Sequence, residues 1–292
     1  MSVRVGVSEE ALEGRGLQAS TRGALRADRP TEEHVKQPGS VDYTTDGEIA
    51  VITLNRPTVK NALTRTMLAD FADTITDFSH DHALRVAILT GAGEDSFCAG
   101  ADLGETIPLL TDGDLSSVID DPSKRFFSDV YKPIVSAVNG HCIAGGLEIL
   151  LGTDIRIAAD HAMFGLSEVK WGIVPAAGSH VRLPRQIPLP IAMELLLTGK
   201  PITAQRAAVT GLVNKVVPGD RLMHEAHSIA AALCRNGPLA TGTAKEVAVR
   251  SAKQEAGFVL EKYMSERVFT SHDATEGPRA FLDKRAPIFS GR

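Results

Sequence analysis

Five short runs of β-branched and aliphatic residues limit the fold of this chain more than any other feature of its sequence. The runs occupy residues 49–54, 85–90, 133–138, 154–159 and 212–217. Runs of this length and composition between turn signals are typical of buried strands. Helical patterns separate several of them, so we predict an α/β fold. Some strands follow one another closely, which favours a repeated strand–strand–helix winding over a simple doubly wound sheet.

Four helices are predicted from the spacing of apolar residues and from capping signals. The first has an apolar face with gaps of three or four residues, formed by Leu68, Phe71, Ile75 and Phe78. The others cover residues 203–211, 220–236 and 254–269, and Thr203 and Gly211 are suitable caps for the second. The residues from Glu276 onward predict a polar C-terminal tail.

The first forty residues differ from the rest of the chain. They have few large apolar residues, mixed charges and no lasting periodicity. They lack the apolar centre of a secretory signal, and their acidic residues argue against an organellar transit peptide. We predict a flexible extension over residues 1–40 and a folded domain over residues 41–292.

The composition argues against several classes of protein. The formal net charge of −5 gives no electrostatic footprint for a nucleic acid. No apolar run reaches the roughly 18 residues that cross a bilayer. The cysteines, Cys98, Cys142 and Cys234, and the nine histidines show neither C-x-x-C nor H-E-x-x-H spacing. We therefore expect a cytoplasmic protein without a metal and without a nucleic-acid or membrane partner.

Two turns rich in small residues are candidates for a functional site. FCAGADL, residues 97–103, follows the strand at 85–90, and NGHCIAGGLEIL, residues 139–150, follows the strand at 133–138 and opens a helix. Either turn taken alone is explained by steric need for small residues. The first turn of a helix, however, has N–H groups without acceptors. Brought together, the two turns would offer two N–H donors to one developing oxyanion, such as a thioester oxygen.

Glu148 and Glu168 are the candidate acid–base groups. Glu148 lies one turn inside the helix that follows the second turn, in a segment too apolar for an exposed helix start. The alternative for Glu148 is a solvated carboxylate favoured by the helix dipole. Taken alone, Glu168 is more typical of a surface residue beside Lys170. Two carboxyl groups that flank one substrate can take up a proton and supply one.

Four segments together resemble the enoyl-CoA hydratase/isomerase, or crotonase, family. They are LNRPTVKNAL, FCAGADL, residues 133–179 and residues 194–218. The resemblance covers the chain from about Asp42 to the C-terminus. It implies a crotonase (ClpP-like) spiral of ββα units over about 41–220. It also implies a C-terminal helical region, about 221–292, that helps to form trimers, often paired into hexamers.

The resemblance also implies a site for an acyl-CoA thioester. The thioester oxygen would lie between the backbone N–H groups of Ala99 and Gly145. Glu148 would help to deprotonate a water for attack at C3, and Glu168 would exchange the proton at C2. The substrate would contact Lys60, Ala62, Leu63, Ala99, Gly100, Ala101, Asp102, Leu103 and Gly145, with Phe281 and Lys284 as further candidates. No metal or redox cofactor is implied, because coenzyme A is part of the substrate and the thioester already acidifies C2.

The sequence departs from the family pattern around the second turn. Ala144 precedes Gly145 and Gly146 where family hydratases commonly have three glycines, and we expect the Gly145 N–H to stay available. Ala177 and Ser179 stand where many relatives have glycine. His141 and His180 could contact a substrate, although a structural or surface role accounts for both. Residues 104–132 are expected to cover the acyl pocket and to set chain-length preference.

The predicted function is the reversible addition of water across the 2,3 double bond of an enoyl-CoA, within fatty acid metabolism. Carnitinyl-CoA dehydration and enoyl-CoA isomerisation on the same scaffold are the alternatives. Isomerases often manage with one carboxylate, so the two glutamates favour hydration. A non-catalytic or RNA-binding member of the fold is a further alternative, and the negative net charge argues against RNA.

Overall fold

The computed structural model describes residues 39–112 and 121–291, which belong to one unit spanning Gln37–Arg292. The extension predicted over residues 1–40 therefore lies outside the described residues, apart from its last two. Residues 113–120 of the segment expected to cover the acyl pocket also lie outside them.

The strands of the described residues form two sheets. They are β1 Ser40–Asp46, β2 Ile49–Asn55, β3 Val86–Gly91, β4 Ser96–Cys98, β5 Ile134–Val138, β6 His141–Ile143, β7 Ile155–Ala159, β8 Met163–Gly165, β9 Ile202–Thr203 and β10 Lys215–Val217. The larger sheet has the order β1-β2-β3-β5-β7-β10 and is parallel except for the β1–β2 pair. The smaller sheet has the order β4-β6-β8-β9, with only the β8–β9 pair antiparallel.

Helices follow or interrupt these strands. Those of the described residues are α1 Arg65–His80, α2 Thr106–Thr111, α3 Gly145–Leu150, α4 Ser179–Gln186, α5 Leu189–Thr198, α6 Ala204–Val209, α7 Leu222–Cys234, α8 Pro238–Ser251, α9 Glu255–Phe269 and α10 His272–Leu282. A strand of the larger sheet, a strand of the smaller sheet and a helix follow one another as β3-β4-α2 and as β5-β6-α3. The predicted strand–strand–helix winding is therefore confirmed.

The larger sheet has apolar residues on both faces. One face packs with α1 and with the smaller sheet in a core that includes Leu54, Phe71 and Phe164. The other face packs against α7 through residues such as Ile88 and Leu222. Parallel strands covered on both faces have near-continuous apolar sequences. This explains why the five predicted strands are all found in this sheet.

The apolar face of α1 differs from the prediction at one position. Phe71, Ile75 and Phe78 are buried as expected, but Met67 is the fourth buried residue and Leu68 is only partly buried. The helix starts after Thr64, whose side chain accepts a hydrogen bond from the Met67 N–H at 3.1 Å.

The polar tail predicted from Glu276 onward is wrong for its first residues, which belong to α10. This helix packs against a 3-10 turn at Glu168–Trp171. Phe281 contacts Trp171 edge to face, with ring centroids 4.9 Å apart. Gly277 and Pro278 have low helix propensity, but both are buried inside the helix. Tertiary packing therefore overrides the local propensity.

We expect Gly277→Ala to destabilise the chain by about 2 kcal/mol or more, because a Cβ there would lie 1.7 Å from the Trp171 carbonyl oxygen. Gly242→Ala in α8 is the control, since its Cβ would have no neighbour closer than 3.7 Å. That control should be neutral or slightly stabilising. Urea unfolding followed by circular dichroism measures both, and equal midpoints for the two variants would contradict the described packing of α10.

Candidate active site

The two small-residue turns lie against each other at one edge of the smaller sheet. β4 and β6 are parallel neighbours, so the turns that follow them leave the sheet together. A Cβ built on Gly145 would lie 3.5 Å from the Ala101 nitrogen. A Cβ built on Gly100 would lie 3.0 Å from the Gly145 nitrogen. The backbone nitrogens of Ala101 and Gly145 are therefore close neighbours.

The structure contradicts the prediction for one of the two N–H donors. The Ala99 N–H donates to the Lys60 carbonyl oxygen at 3.0 Å, so it is not available to a ligand and its predicted role is wrong. The Gly100 N–H points to the Cys98 sulfur at 3.4 Å. Within the described residues, the N–H groups of Ala101 and Gly145 have no acceptor. The pair that can hold an oxyanion is therefore Ala101 and Gly145.

Ala144 and Gly146 fix the start of α3. Ala144 precedes the helix with φ 53° and ψ −126°, a region that residues with a Cβ rarely adopt. The expectation that this alanine leaves the Gly145 N–H without an acceptor is met within the described residues. Gly146 is required for steric reasons, because a Cβ there would lie 2.3 Å from the Cys98 carbonyl oxygen.

Glu148 is buried and hydrogen-bonded, so the alternative of a solvated helix-start carboxylate is wrong. Its side-chain Oε1 accepts hydrogen bonds from the N–H groups of Ala177 at 2.7 Å and Ser179 at 3.4 Å. Burial, followed by the negative charge of Glu261, raises the pKa of Glu148 to about 7. The N–H groups of Ala177 and Ser179 lower this pKa because they stabilise the ionised form.

Glu168 is also buried, so a surface position beside Lys170 is wrong for it. It begins the 3-10 turn Glu168–Trp171. Both oxygens of its carboxyl group are buried and have no hydrogen-bond partner within the described residues. Burial, followed by the negative charge of Glu148, raises the pKa of Glu168 well above its usual value. The two carboxyl groups therefore act on each other.

The environments of the two glutamates differ in a way that separates their protonation states. Glu148 receives two N–H donors from other residues, which favour its charged form, whereas the Glu168 oxygens have no hydrogen-bond partner within the described residues and only its own backbone N–H lowers its pKa. Two neighbouring carboxyl groups in a buried site do not both ionise readily. Of the two groups, Glu148 is therefore the one that ionises more readily, and Glu168 is the one that keeps its proton to higher pH.

The segment from Lys60 to Leu63 runs beside the first turn, so the structure brings the predicted substrate-binding residues of both segments together. Leu63 donates to the Gly100 carbonyl oxygen at 2.8 Å, and its own carbonyl accepts from the Asp102 N–H at 2.9 Å. Ala62 lies between Lys60 and Leu63 in this segment, and Leu103 follows the paired residues.

The Asp102 side chain belongs to the framework of the site. One carboxylate oxygen contacts Arg56 at 2.6 Å, and the other accepts from the N–H groups of Gly104 and Glu105. Sequence reasoning did not single out Arg56. It did not single out Asn61 either, whose buried side chain bonds the Arg56 N–H and the carbonyl oxygens of Ala92 and Ser96. Their only local signal is their place in the segment LNRPTVKNAL.

The two C-terminal candidates lie at the end of α10. Phe281 packs on Trp171 of the same chain, in the turn that begins with Glu168. Lys284 lies just beyond the end of that helix, with a left-handed φ of 53°. Their contact with coenzyme A stays a prediction.

An apolar cluster lies beside the candidate donors. Its members come from α2, from the residues after the Glu168–Trp171 turn, and from α9 and α10. The buried members are Ile107, Leu110, Ile173, Ala176, Phe269 and Ala274, and the partly buried ones are Ala101, Leu103, Trp171 and Val174. α2 lies within residues 104–132, the segment expected to cover an acyl pocket.

The two histidines considered from the sequence have different surroundings. The His180 N–H donates to Glu261 at 3.2 Å, and its ring Nδ1 lies 3.4 Å from the same oxygen. This matches the structural role considered for it. His141 is half-buried, and burial followed by the charge of Lys60 lowers its pKa.

Residues 39–112 and 121–291 contain neither a candidate metal centre nor a candidate membrane span. No group of three or more His, Cys, Asp or Glu side chains there is arranged to hold a metal ion. No helix in those ranges is both long enough and apolar enough to cross a membrane.

Comparisons with known proteins agree on one family. Residues 44–292 match the sequence model described as enoyl-CoA hydratase/isomerase. The chain is 42% identical over 258 residues to enoyl-CoA hydratase EchA19 of Mycobacterium tuberculosis, covering 84% of this chain and 94% of that protein. It is 38% identical over 261 residues to carnitinyl-CoA dehydratase of Proteus mirabilis, covering 87% and 99%. A solved carnitinyl-CoA dehydratase from Mycobacterium avium superposes with a TM-score of 0.78 at 34% identity, covering 87% of this chain and 100% of that one.

We expect Ala144→Gly to stabilise the chain by about 1 kcal/mol, because glycine adopts the conformation of this residue without steric cost. Ala252→Gly is the matched control, since Ala252 has an ordinary helical φ of −70°. Glycine should lower stability slightly at that position. Thermal unfolding of both variants measures the effect, and a lower melting temperature for Ala144→Gly would show that the residue is not strained.

Proposed function

Because this chain belongs to the enoyl-CoA hydratase/isomerase family, we propose that it catalyses the reversible addition of water across the 2,3 double bond of an enoyl-CoA thioester. One observation carries the proposal. Glu148 and Glu168 are buried carboxyl groups that affect each other, and Glu148 lies on the helix that begins with Gly145, whose N–H, like that of Ala101, has no acceptor within the described residues. Hydration of a conjugated thioester requires a base, an acid and an oxyanion site.

The N–H groups of Ala101 and Gly145 would bind the thioester oxygen. Attack at C3 moves the electrons of the double bond toward this oxygen and forms an enolate. Donors already fixed by the backbone stabilise that charge without reorganisation during the reaction. The close contact of Gly100 with Gly145 keeps the two donors together.

The two glutamates would divide the proton transfers. The ionised Glu148 takes a proton from water as the water oxygen bonds to C3. The enolate then takes a proton at C2 from the protonated Glu168, so one proton is gained and one is lost by the enzyme. In the reverse direction each glutamate reverses its role. Since the thioester itself acidifies C2, we propose that the reaction needs no metal or redox cofactor.

The coenzyme A and acyl parts of the substrate would bind beside the N–H donors and the two glutamates. We place coenzyme A along residues 60–63 and 99–103, which are paired in the structure. The acyl chain would contact the partly buried members of the apolar cluster, which include Leu103, Trp171 and Val174. A place in fatty acid metabolism would follow from this substrate class.

Carnitinyl-CoA dehydration is the second candidate, because relatives at 38% identity have that name. Removal of water from a 3-hydroxyacyl thioester needs the same acid, base and oxyanion donors. A panel of enoyl-CoA thioesters from short to long, together with crotonobetainyl-CoA, separates the two activities. Loss of the enoyl absorbance on addition of enzyme measures hydration, and failure of every member to react would reject both candidates.

We also propose that the chain forms trimers or pairs of trimers. Two helices expose apolar side chains that a subunit contact would cover: Leu189, Met193 and Leu197 on α5, and Leu260, Tyr263 and Met264 on α9. Light scattering of the full chain measures the assembly. A cytoplasmic location is proposed as well, since the three cysteines are free thiols.

We expect Glu168→Gln to lower kcat for crotonyl-CoA by at least about a hundredfold, because the acid that protonates C2 is lost. Binding of crotonyl-CoA should change little, since the amide has nearly the shape of the carboxyl group. Glu246→Gln, at a half-exposed residue of α8 that pairs with Arg250, is the control. Wild-type turnover by Glu168→Gln would remove this residue from the mechanism.

The pH dependence of kcat/KM for hydration should have a limb near pH 7. Glu148 must be ionised to act as the base, so its pKa of about 7 means that activity falls as the pH drops below that value. A second limb should occur at higher pH, where Glu168 loses its proton. Initial rates at low substrate concentration measure the profile, and a constant kcat/KM between about pH 5 and 9 would exclude this acid–base pair.

A further inference from the structure

The segment Ala176–His180 lies between two buried carboxylates. On one side, Glu148 accepts hydrogen bonds from its N–H groups at residues 177 and 179. On the other side, Glu261 of α9 accepts the His180 N–H at 3.2 Å. Arg125 donates from Nε to the Ala176 carbonyl oxygen at 3.0 Å and to Glu261 at 3.1 Å. Arg125 and Glu261 therefore bind the backbone at the two ends of the segment. The N–H groups between these ends bind the Glu148 carboxylate.

The Arg125–Glu261 pair is buried, and Arg125 makes several further contacts. Each side chain is only 1% exposed. Arg125 also donates to the carbonyl oxygens of Pro122, Lys124 and Phe258, and its guanidinium lies 5.2 Å from the centre of the Phe258 ring. Removing two charges from water is costly, so a buried ion pair is weak evidence for added stability. Its position directly behind the segment that holds Glu148 suggests a different role.

We propose that Glu261 is a positioning residue for the hydration reaction, which fixes residues 176–180 and through them the orientation of the Glu148 carboxylate. The inference rests on the proposed function and deepens it, because it makes α9 part of the catalytic machinery. Glu261 does not touch the reacting atoms. It acts through two backbone contacts, its own with His180 and that of Arg125 with Ala176.

The charge of Glu261 also acts on Glu148. It raises the pKa of Glu148, second only to burial. The other charged groups that act on Glu148 are His180 and Arg182 of α4 and Glu168 of the 3-10 turn. Without the negative charge of Glu261, Glu148 would ionise at a lower pH and would be a weaker base. A purely structural role of Glu261 would not predict this change.

Glu261→Gln tests the proposal, because glutamine keeps an acceptor for the His180 N–H but has no charge. We expect the acid limb of kcat/KM to move to lower pH and kcat to fall by about tenfold or more, because Glu148 becomes a weaker base and Arg125, which contacts Ala176, loses its charged partner. Glu194→Gln is the matched control. Glu194 forms a half-exposed pair with Arg206 and should give the wild-type profile.

A second variant keeps the proposal testable if Glu261→Gln does not fold. Glu261→Gln leaves Arg125 buried and unpaired, which is destabilising. The double variant Arg125→Gln/Glu261→Gln removes both charges and should fold, as judged by circular dichroism, with the same direction of shift. A folded single or double variant with the wild-type limb and wild-type kcat would overturn the proposal.

Infrared titration separates this inference from the proposed function. The carboxyl signal that disappears in Glu148→Gln reports the ionisation of Glu148 without any substrate. In Glu261→Gln this signal should titrate at lower pH than in the wild-type chain. If the wild-type chain hydrates no enoyl-CoA, the proposed function fails, whereas an unshifted Glu148 titration rejects the role of Glu261.

Discussion

The close approach of two backbone turns is the constraint on which the site depends. A side chain on Gly146 would overlap the Cys98 carbonyl oxygen, and one on Gly100 would lie 2.7 Å from the Ala144 Cβ. With both glycines present, β4 and β6 pair and their turns leave the sheet side by side. The N–H groups of Ala101 and Gly145 then lie next to each other. Glu148 follows on the same helix, so its position is a consequence of this contact.

The two glutamates show how one fold gives identical side chains different chemistry. Glu148 lies where the backbone of residues 177 and 179 supplies donors, and Glu168 lies where no other described residue supplies one. Burial raises the pKa of both; N–H groups of two other residues offset part of that effect for Glu148, whereas only its own backbone N–H does so for Glu168. The proposed division into base and acid therefore originates in the placement of backbone N–H groups.

Sequence patterns predicted the larger sheet because its inner strands are buried on both faces and have continuous aliphatic runs. The strands of the smaller sheet have two or three residues, too few to show a periodicity. Sequence also identified the turn of the proposed oxyanion donor, but assigned the role to the N–H of Ala99 instead of that of Ala101. The correct choice depends on the bond between Ala99 and Lys60, which is a tertiary contact. Arg125 and Glu261 are 136 positions apart, so no local pattern connects them.

Gly277 packs directly against the Trp171 carbonyl oxygen, and this contact fixes the position of α10 along its axis. If the helix slid along its axis by one residue, a side chain would meet that carbonyl oxygen, so the helix has a single longitudinal position. The turn beneath it begins with Glu168. The position of the C-terminal helix therefore determines how deeply the turn with Glu168, the proposed proton donor, lies within the protein.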